Sequence, residues 1–442
     1  MYPIHPNSPS PLGLPSGSFT RRRGPRRAQS FSFGRLGAAP HRVAFFAGAV
    51  VLAAAALWWT AALLARHAGL ALPWDVRPGT AHALVMGLGF MPFFFVGFLF
   101  TAGPRWLQQP AQRAADLALP LGLMAAGWLL ALPGFHLAAA LAALGLATAA
   151  VGLALATGRF LLLVLQSRVA EREHAVLAAG GCAVTAMALW AAAAGVALGQ
   201  DAAARAALHF ALWGGLAPVF VAVTHRMLPF FSAAALPAQD AWRPRVLLWL
   251  MVGAVAVQAP LAALQAFDDG PSSVLLSGLR AALELPAGAL MLWLALRWGL
   301  LQSLKIRLLA MLHMGFFWLG VAFTLGGVSH ALMSASDGTL SLGLAPLHAL
   351  TMGFLGSTLV AMATRVACGH SGRSLVADNW AWAVFWALQA GVLLRVTAAL
   401  VPPALSTPLT LLAAQFWLAA VGAWALRHGR WFGLPRADGQ AG

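Results

Sequence analysis

Beyond residue 40 the chain alternates long apolar stretches with short polar breaks. Each stretch has the roughly 20 residues that a helix needs to cross the hydrocarbon core of a bilayer. Twelve are present, predicting helices near 43–65, 80–103, 114–132, 136–157, 174–198, 206–231, 246–266, 273–297, 308–333, 345–366, 378–400 and 406–426. None of the breaks is long enough for a soluble domain. The pattern therefore predicts an all-α fold, a polytopic membrane helix bundle over residues 41–430. Residues 1–40 carry Pro, Ser, Gly and the basic run Arg21 to Arg27, and read as a disordered basic cytoplasmic tail. A twin-arginine export signal is the rival reading of that run. The apolar stretch after it is longer than a signal core, which favours an anchor. Residues 431–442 read as a short cytoplasmic tail.

Composition supports lipid as the main solvent. Only 9% of the 442 residues are charged, against about a quarter in a soluble domain, so there is too little charge to coat a water-facing surface. The net charge of +16 raises the question of nucleic acid. Its arginines, however, stand at the ends of apolar runs, where membrane topology puts them, and no nucleic-acid partner is expected. With the N-terminus inside, 23 Arg and Lys fall on cytoplasmic segments and three on outside loops, the remaining two lying within helices. That asymmetry predicts a multi-pass protein with both termini cytoplasmic. The two cysteines, Cys182 and Cys368, lie in apolar segments and read as small fillers with no disulfide framework.

An internal repeat is visible. His82-Ala83-Leu84-Val85-Met86-Gly87 opens the second helix and His348-Ala349-Leu350-Thr351-Met352-Gly353 the tenth. The sixth opens with His209, and Arg226 follows 17 residues later, the interval that separates His348 from Arg365. Helices two, six and ten therefore look related, dividing the chain into three four-helix units.

Ionisable residues inside a bilayer are costly and mark candidate sites. The topology sorts the histidines into an outer group (His82, His209, His330, His348) and an inner one (His225, His313, His370). His209 and His225 are separated by about 24 Å along one helix at about 1.5 Å per residue, so they cannot share a ligand. Imidazole is the commonest transition-metal ligand and the usual axial ligand of haem iron. His82 and His348, in matching motifs, are the pair that would clamp a haem from facing helices. Met86 and Met352 lie one turn further along and could pack on a porphyrin or ligate copper. A lone membrane histidine serves equally as an inter-helix hydrogen-bonding residue, and that reading stays open for each. Arg280 and Glu284, spaced i, i+4, are expected to neutralise each other. Arg395 lacks an obvious partner, and a haem propionate is the functional alternative for either arginine.

Several motifs together resemble the NnrS family. They are His82 through Gly97-Phe98-Leu99-Phe100-Thr101-Ala102-Gly103-Pro104-Arg105-Trp106, then Arg226-Met227-Leu228-Pro229-Phe230-Phe231, and His313-Met314-Gly315. The most specific block runs from His348-Ala349-Leu350-Thr351-Met352-Gly353 through Thr364-Arg365-Val366 to Gly369-His370-Ser371-Gly372-Arg373. The resemblance covers nearly all the chain past the tail. It implies a bacterial inner-membrane protein carrying haem and copper, linked to nitric oxide and nitrosative stress and often to denitrification. The matching positions are His82, His209, Arg226, His313, His348, Arg365 and His370. Thr80 and Ala83 stand where the family's first motif has a histidine and a glutamate, His225 replaces a glycine and Arg105 an asparagine. These departures suggest a divergent paralogue that keeps haem with a reduced metal set.

The expected function is therefore binding or processing of NO-derived species at a histidine-ligated haem, with an electron donor as a further partner. Cofactor-binding candidates are His82, His348, His209, Arg226 and Arg365. Metal candidates are His209, His330, His313, His225 and His370. A secondary transporter, for which twelve helices is a common count, and a non-catalytic membrane sensor are the competing functions.

Overall fold

A computed structural model describes residues 30–267 and 274–440. The basic run Arg21 to Arg27, with the rest of the expected tail up to residue 29, lies outside the described residues. Twelve helices are long and apolar enough to cross a membrane, and no strand occurs among the described residues. They are α1 (Pro40–His67), α2 (Pro78–Trp106), α3 (Ala114–Leu137), α4 (Ala139–Gln166), α5 (Glu173–Ala197) and α6 (Asp201–Ala235). The second half holds α7 (Arg245–Gln265), α8 (Val274–Arg297), α9 (Arg307–Ala335), α10 (Ala345–His370), α11 (Asn379–Ala398) and α12 (Pro403–Phe432). The chain is thus an all-α, multi-pass membrane bundle, with every expected span in place.

Local chemistry sets several boundaries. Pro40, Pro78 and Pro403 open α1, α2 and α12, at the one helical position where a missing N–H costs nothing. Asp378 caps α11 by accepting the Ala381 amide at 2.9 Å. Within α7 the regular ladder breaks at Val257, because Pro260 has no N–H for the Ala256 carbonyl one turn back.

Most helices adjacent in sequence pack on each other, α2 and α3 being the exception, and α1 also packs on α12, so the first and last spans meet. Between α3 and α4 the backbones approach closely: a Cβ on Gly127 would lie 2.5 Å from the Gly145 carbonyl oxygen. Small residues are the usual device for such contacts where lipid supplies no hydrophobic drive. Four spans are far more enclosed than the rest. The buried share of the apolar window is 83% in α2, 78% in α6 and 72% in both α9 and α10, against 28–56% elsewhere. Phe95 of α2 packs on Phe220 of α6 at 5.4 Å, and Phe220 on Phe354 of α10 at 5.8 Å. The three helices that carry the matching histidines therefore meet along the bundle's interior in an aromatic layer.

Each of these three helices also contains a stretch of wider π-type turn: Val85–Gly89 in α2, Ala211–Leu216 in α6 and Ala349–Gly356 in α10. Pro92 and Pro218 leave the Leu88 and Gly214 carbonyls without their usual amide. In α10 the Ser357 hydroxyl bonds the Met352 carbonyl at 3.4 Å.

The segment ahead of α1 and the segment after α12 meet at one end of the bundle, the terminal end, where the Ser32 amide donates to the Gly433 carbonyl at 3.0 Å. Phe33–Ala38 forms a 3-10 turn ahead of α1. Arg42 donates to the carbonyls of Phe432 at 2.9 Å and Leu434 at 3.0 Å, and the Ala437 amide donates to the Ser371 carbonyl at 2.8 Å.

Candidate functional site

At the end of the bundle opposite the terminal end, α1, α2, α6, α10, α11 and α12 line a cavity of about 510 Å³. That lies within the roughly 300–1,000 Å³ typical of ligand and cofactor sites. His82, His209 and His348 all line it, each just ahead of its helix's π-type stretch. Such stretches occur mostly at functional positions, where they re-aim side chains. Met86 and Met352 line the same space.

The hydrogen bonds of these histidines differ. His348 Nδ1 lies 2.9 Å from the Leu344 carbonyl of its own helix. A carbonyl only accepts, so Nδ1 carries the proton and Nε2 keeps its lone pair. This is the arrangement that orients a ligating imidazole. The His82 ring stacks on Trp59, with centroids 4.0 Å apart and planes 20° from parallel. The buried Nδ1 atoms of His82 and His209 have no hydrogen-bond partner, an arrangement that costs free energy unless something supplies one.

The rim is cationic. Arg66, Arg205 and Arg395 line the cavity, and among the described residues no carboxylate does. Arg205 is partly compensated by Asp201 at 3.1 Å, which also accepts the Thr80 hydroxyl at 2.5 Å. No acidic partner is found for Arg395 among the described residues.

The profile of the NnrS protein family matches residues 35–436. The chain belongs to the NnrS family. No curated protein matches it. Against the family's motif, Thr80 is tied to Asp201 where a histidine was expected. Among the described residues no three His, Cys, Asp or Glu side chains converge closely enough to hold a metal ion. His82, His209 and His348 therefore share a cavity without forming a three-ligand cage.

The remaining sequence candidates lie elsewhere. His330 does not line the cavity. Its Nδ1 donates to Glu284 at 2.7 Å, and Glu284 also pairs with Arg280 at 3.0 Å, so the Arg280–Glu284 pairing read from sequence is present. Arg226 and Arg365 are 17 residues beyond their histidines, about 25 Å along the helix, and cannot touch a ligand held there. The Arg226 guanidinium sits 5.0 Å over Trp106 and bonds Glu171, while that of Arg365 lies 3.8 Å over Phe231. The three inner histidines do not form one cluster. His313 shares a hydrogen bond of 2.9 Å with the Ser232 hydroxyl. His225 Nε2 donates to the Pro244 carbonyl at 3.2 Å, so its Nδ1 accepts from His174 Nε2 at 3.0 Å.

His370 packs against His41, with ring centroids 4.2 Å apart and planes tilted by 43°. Sequence reasoning missed His41 and His174. His41 and His370 are 329 positions apart in the chain, so nothing local links them. The one available signal was topological: the start of α1 and the end of α10 fall on the same side in the arginine count.

Proposed function

We propose that the cavity holds a haem between His82 and His348, in a bacterial inner-membrane protein of the nitric oxide and nitrosative stress response. The observation that supports this best is the His348–Leu344 hydrogen bond, which leaves Nε2 free in a cavity shared with His82. A porphyrin supplies four of its iron's ligands itself, so two protein side chains suffice. This agrees with a cavity that offers paired histidines and no three-ligand cage. Bound there, the haem would supply an iron able to bind NO or to exchange an electron.

The protein's own contribution is positional and electrostatic. Leu344 fixes the tautomer of His348, and Trp59 fixes the ring plane of His82. Arg395, Arg66 and Arg205 offer guanidiniums to the haem's carboxylates, replacing water as their partner. Copper, also implied by the family, finds softer donors in Met86 and Met352 near His209. An electron donor remains the expected partner for any redox role.

The test is the visible spectrum of the purified protein. A Soret band is expected, weakened or shifted in His82→Ala and in His348→Ala and unchanged in His330→Ala. A colourless preparation that takes up no added haem would sink the reading. NO consumption by membranes with and without the protein separates turnover from sensing.

A further inference from the structure

A second polar cavity, of about 340 Å³, opens at the terminal end between the start of α1, the end of α2 and the end of α10. It is distinct from the histidine cavity and shares no residue with it. His41 and His370 face each other on its wall, with Thr101 beside them. His41 is 4% exposed, and neither of its ring nitrogens has a hydrogen-bond partner. An imidazole must carry a proton on at least one nitrogen, so a buried donor beside the cavity is left without an acceptor.

The charges around it select the missing group. Arg42, Arg105 and Arg436 line the same cavity, and among the described residues no carboxylate does. Arg436 is spoken for by Asp438, at 3.0 and 2.5 Å. Arg42 donates only to neutral carbonyls, so its charge is uncompensated although it is 4% exposed. Arg105 has no side-chain partner among the described residues and stands at the rim. Two uncompensated guanidiniums would repel a metal cation from the two imidazoles. They suit an oxyanion, which accepts charge-assisted hydrogen bonds from guanidinium and imidazole together.

We propose that this cavity is a binding site for a phosphate-type oxyanion, held by His41, Arg42 and Arg105 with Thr101 and His370 alongside. The group is either free inorganic phosphate or the headgroup phosphate of an anionic phospholipid. Basic pockets between spans at a cytoplasmic face take such headgroups.

Thermal unfolding of the full-length, delipidated protein in a neutral detergent tests this. One arm titrates sodium phosphate against sodium chloride at equal ionic strength, and the other adds phosphatidylglycerol against phosphatidylcholine. Stabilisation by phosphate is expected if the free ion is the ligand, and by phosphatidylglycerol alone if the headgroup is. In Arg105→Gln, an exposed change that leaves the fold intact, the half-saturating concentration should rise about tenfold, as loss of one charge-assisted bond implies. His41→Ala should raise it further. Equal responses to phosphate and chloride with none to phosphatidylglycerol would overturn the proposal. So would a response unchanged in both variants, or stabilisation by copper or zinc ions in place of phosphate.

Discussion

Glu284 carries most of a buried charge balance by itself. It is 2% exposed within α8 and bonds both Arg280, at 3.0 Å, and His330, at 2.7 Å. Arg280 also reaches Gln265 of α7. Removing the carboxylate alone strands a buried guanidinium, a change that costs about 3–5 kcal/mol. Glu284→Leu should therefore lower the unfolding temperature sharply. Arg280→Met combined with Glu284→Leu should recover most of it, since apolar replacement of a whole buried pair is often neutral. A double variant no more stable than the single one would show that the pair is not the unit. Gln389 offers a neutral counterpart. It accepts from Trp318 Nε1 of α9 at 2.8 Å and donates to the Ser357 hydroxyl of α10 at 2.8 Å. Gln389→Leu orphans the indole N–H, so a loss of about 1–3 kcal/mol is expected on chemical or thermal unfolding.

At the scale of elements, α11 depends on its cap. Asp378 accepts the Ala381 amide and pairs with Arg427 of α12 at 2.5 Å. The Arg427 hydrogen bond holds the Asp378 carboxyl below its ordinary range, helped by the backbone amide and against partial burial. A carboxylate depressed in the folded state stabilises above its unfolded pKa, and that stability disappears as pH falls through the lower folded value. Asp378→Ala should cost about 1 kcal/mol at neutral pH, the usual worth of a side-chain cap. The difference from wild type should vanish in acid, as unfolding at pH 7 and near pH 2 would reveal; an equal gap at both would exclude the carboxylate as its source. The elements also show how far sequence could reach. All twelve spans were legible because each is a long apolar run between arginines. The break in α7 follows from Pro260. The π-type turns in α2, α6 and α10 left no signal in periodicity, since one inserted residue per helix is lost in all-apolar sequence. The site was legible where a motif repeated, as at His82 and His348. It was illegible where contact is long-range, as at His41, or where a buried carboxylate captured a histidine, as Glu284 does His330.

For the molecule as a whole, polar cavities sit at both ends and an apolar layer lies between them. In that layer Phe94, Phe98, Phe220 and Met362 line a void of about 50 Å³. A secondary transporter places its substrate site near the midplane, at discontinuous helices that bring polar backbone to the substrate. A phenylalanine-lined void of this size offers no polar solute such a site, which favours a fixed cofactor at one end over alternating access. Which end faces the cytoplasm follows from charge. Arg35, Arg42, Arg427 and Arg430 stand at the terminal end, together with Arg226, Arg243 and Arg365. The short 68–77 break at the other end carries only Arg77 and Asp75. Basic residues near span ends are retained on the cytoplasmic side, and the bias is strongest in short loops. A fluorescent protein fused to the C-terminus should therefore fluoresce in bacterial cells, and alkaline phosphatase fused there should stay inactive. Phosphatase inserted in the 68–77 break should be active. The reverse pattern would turn the bundle over, placing the His82–His348 cavity on the cytoplasmic side and the His41 cavity outside. Orientation thus decides from which side of the bilayer the His82–His348 cavity is reached.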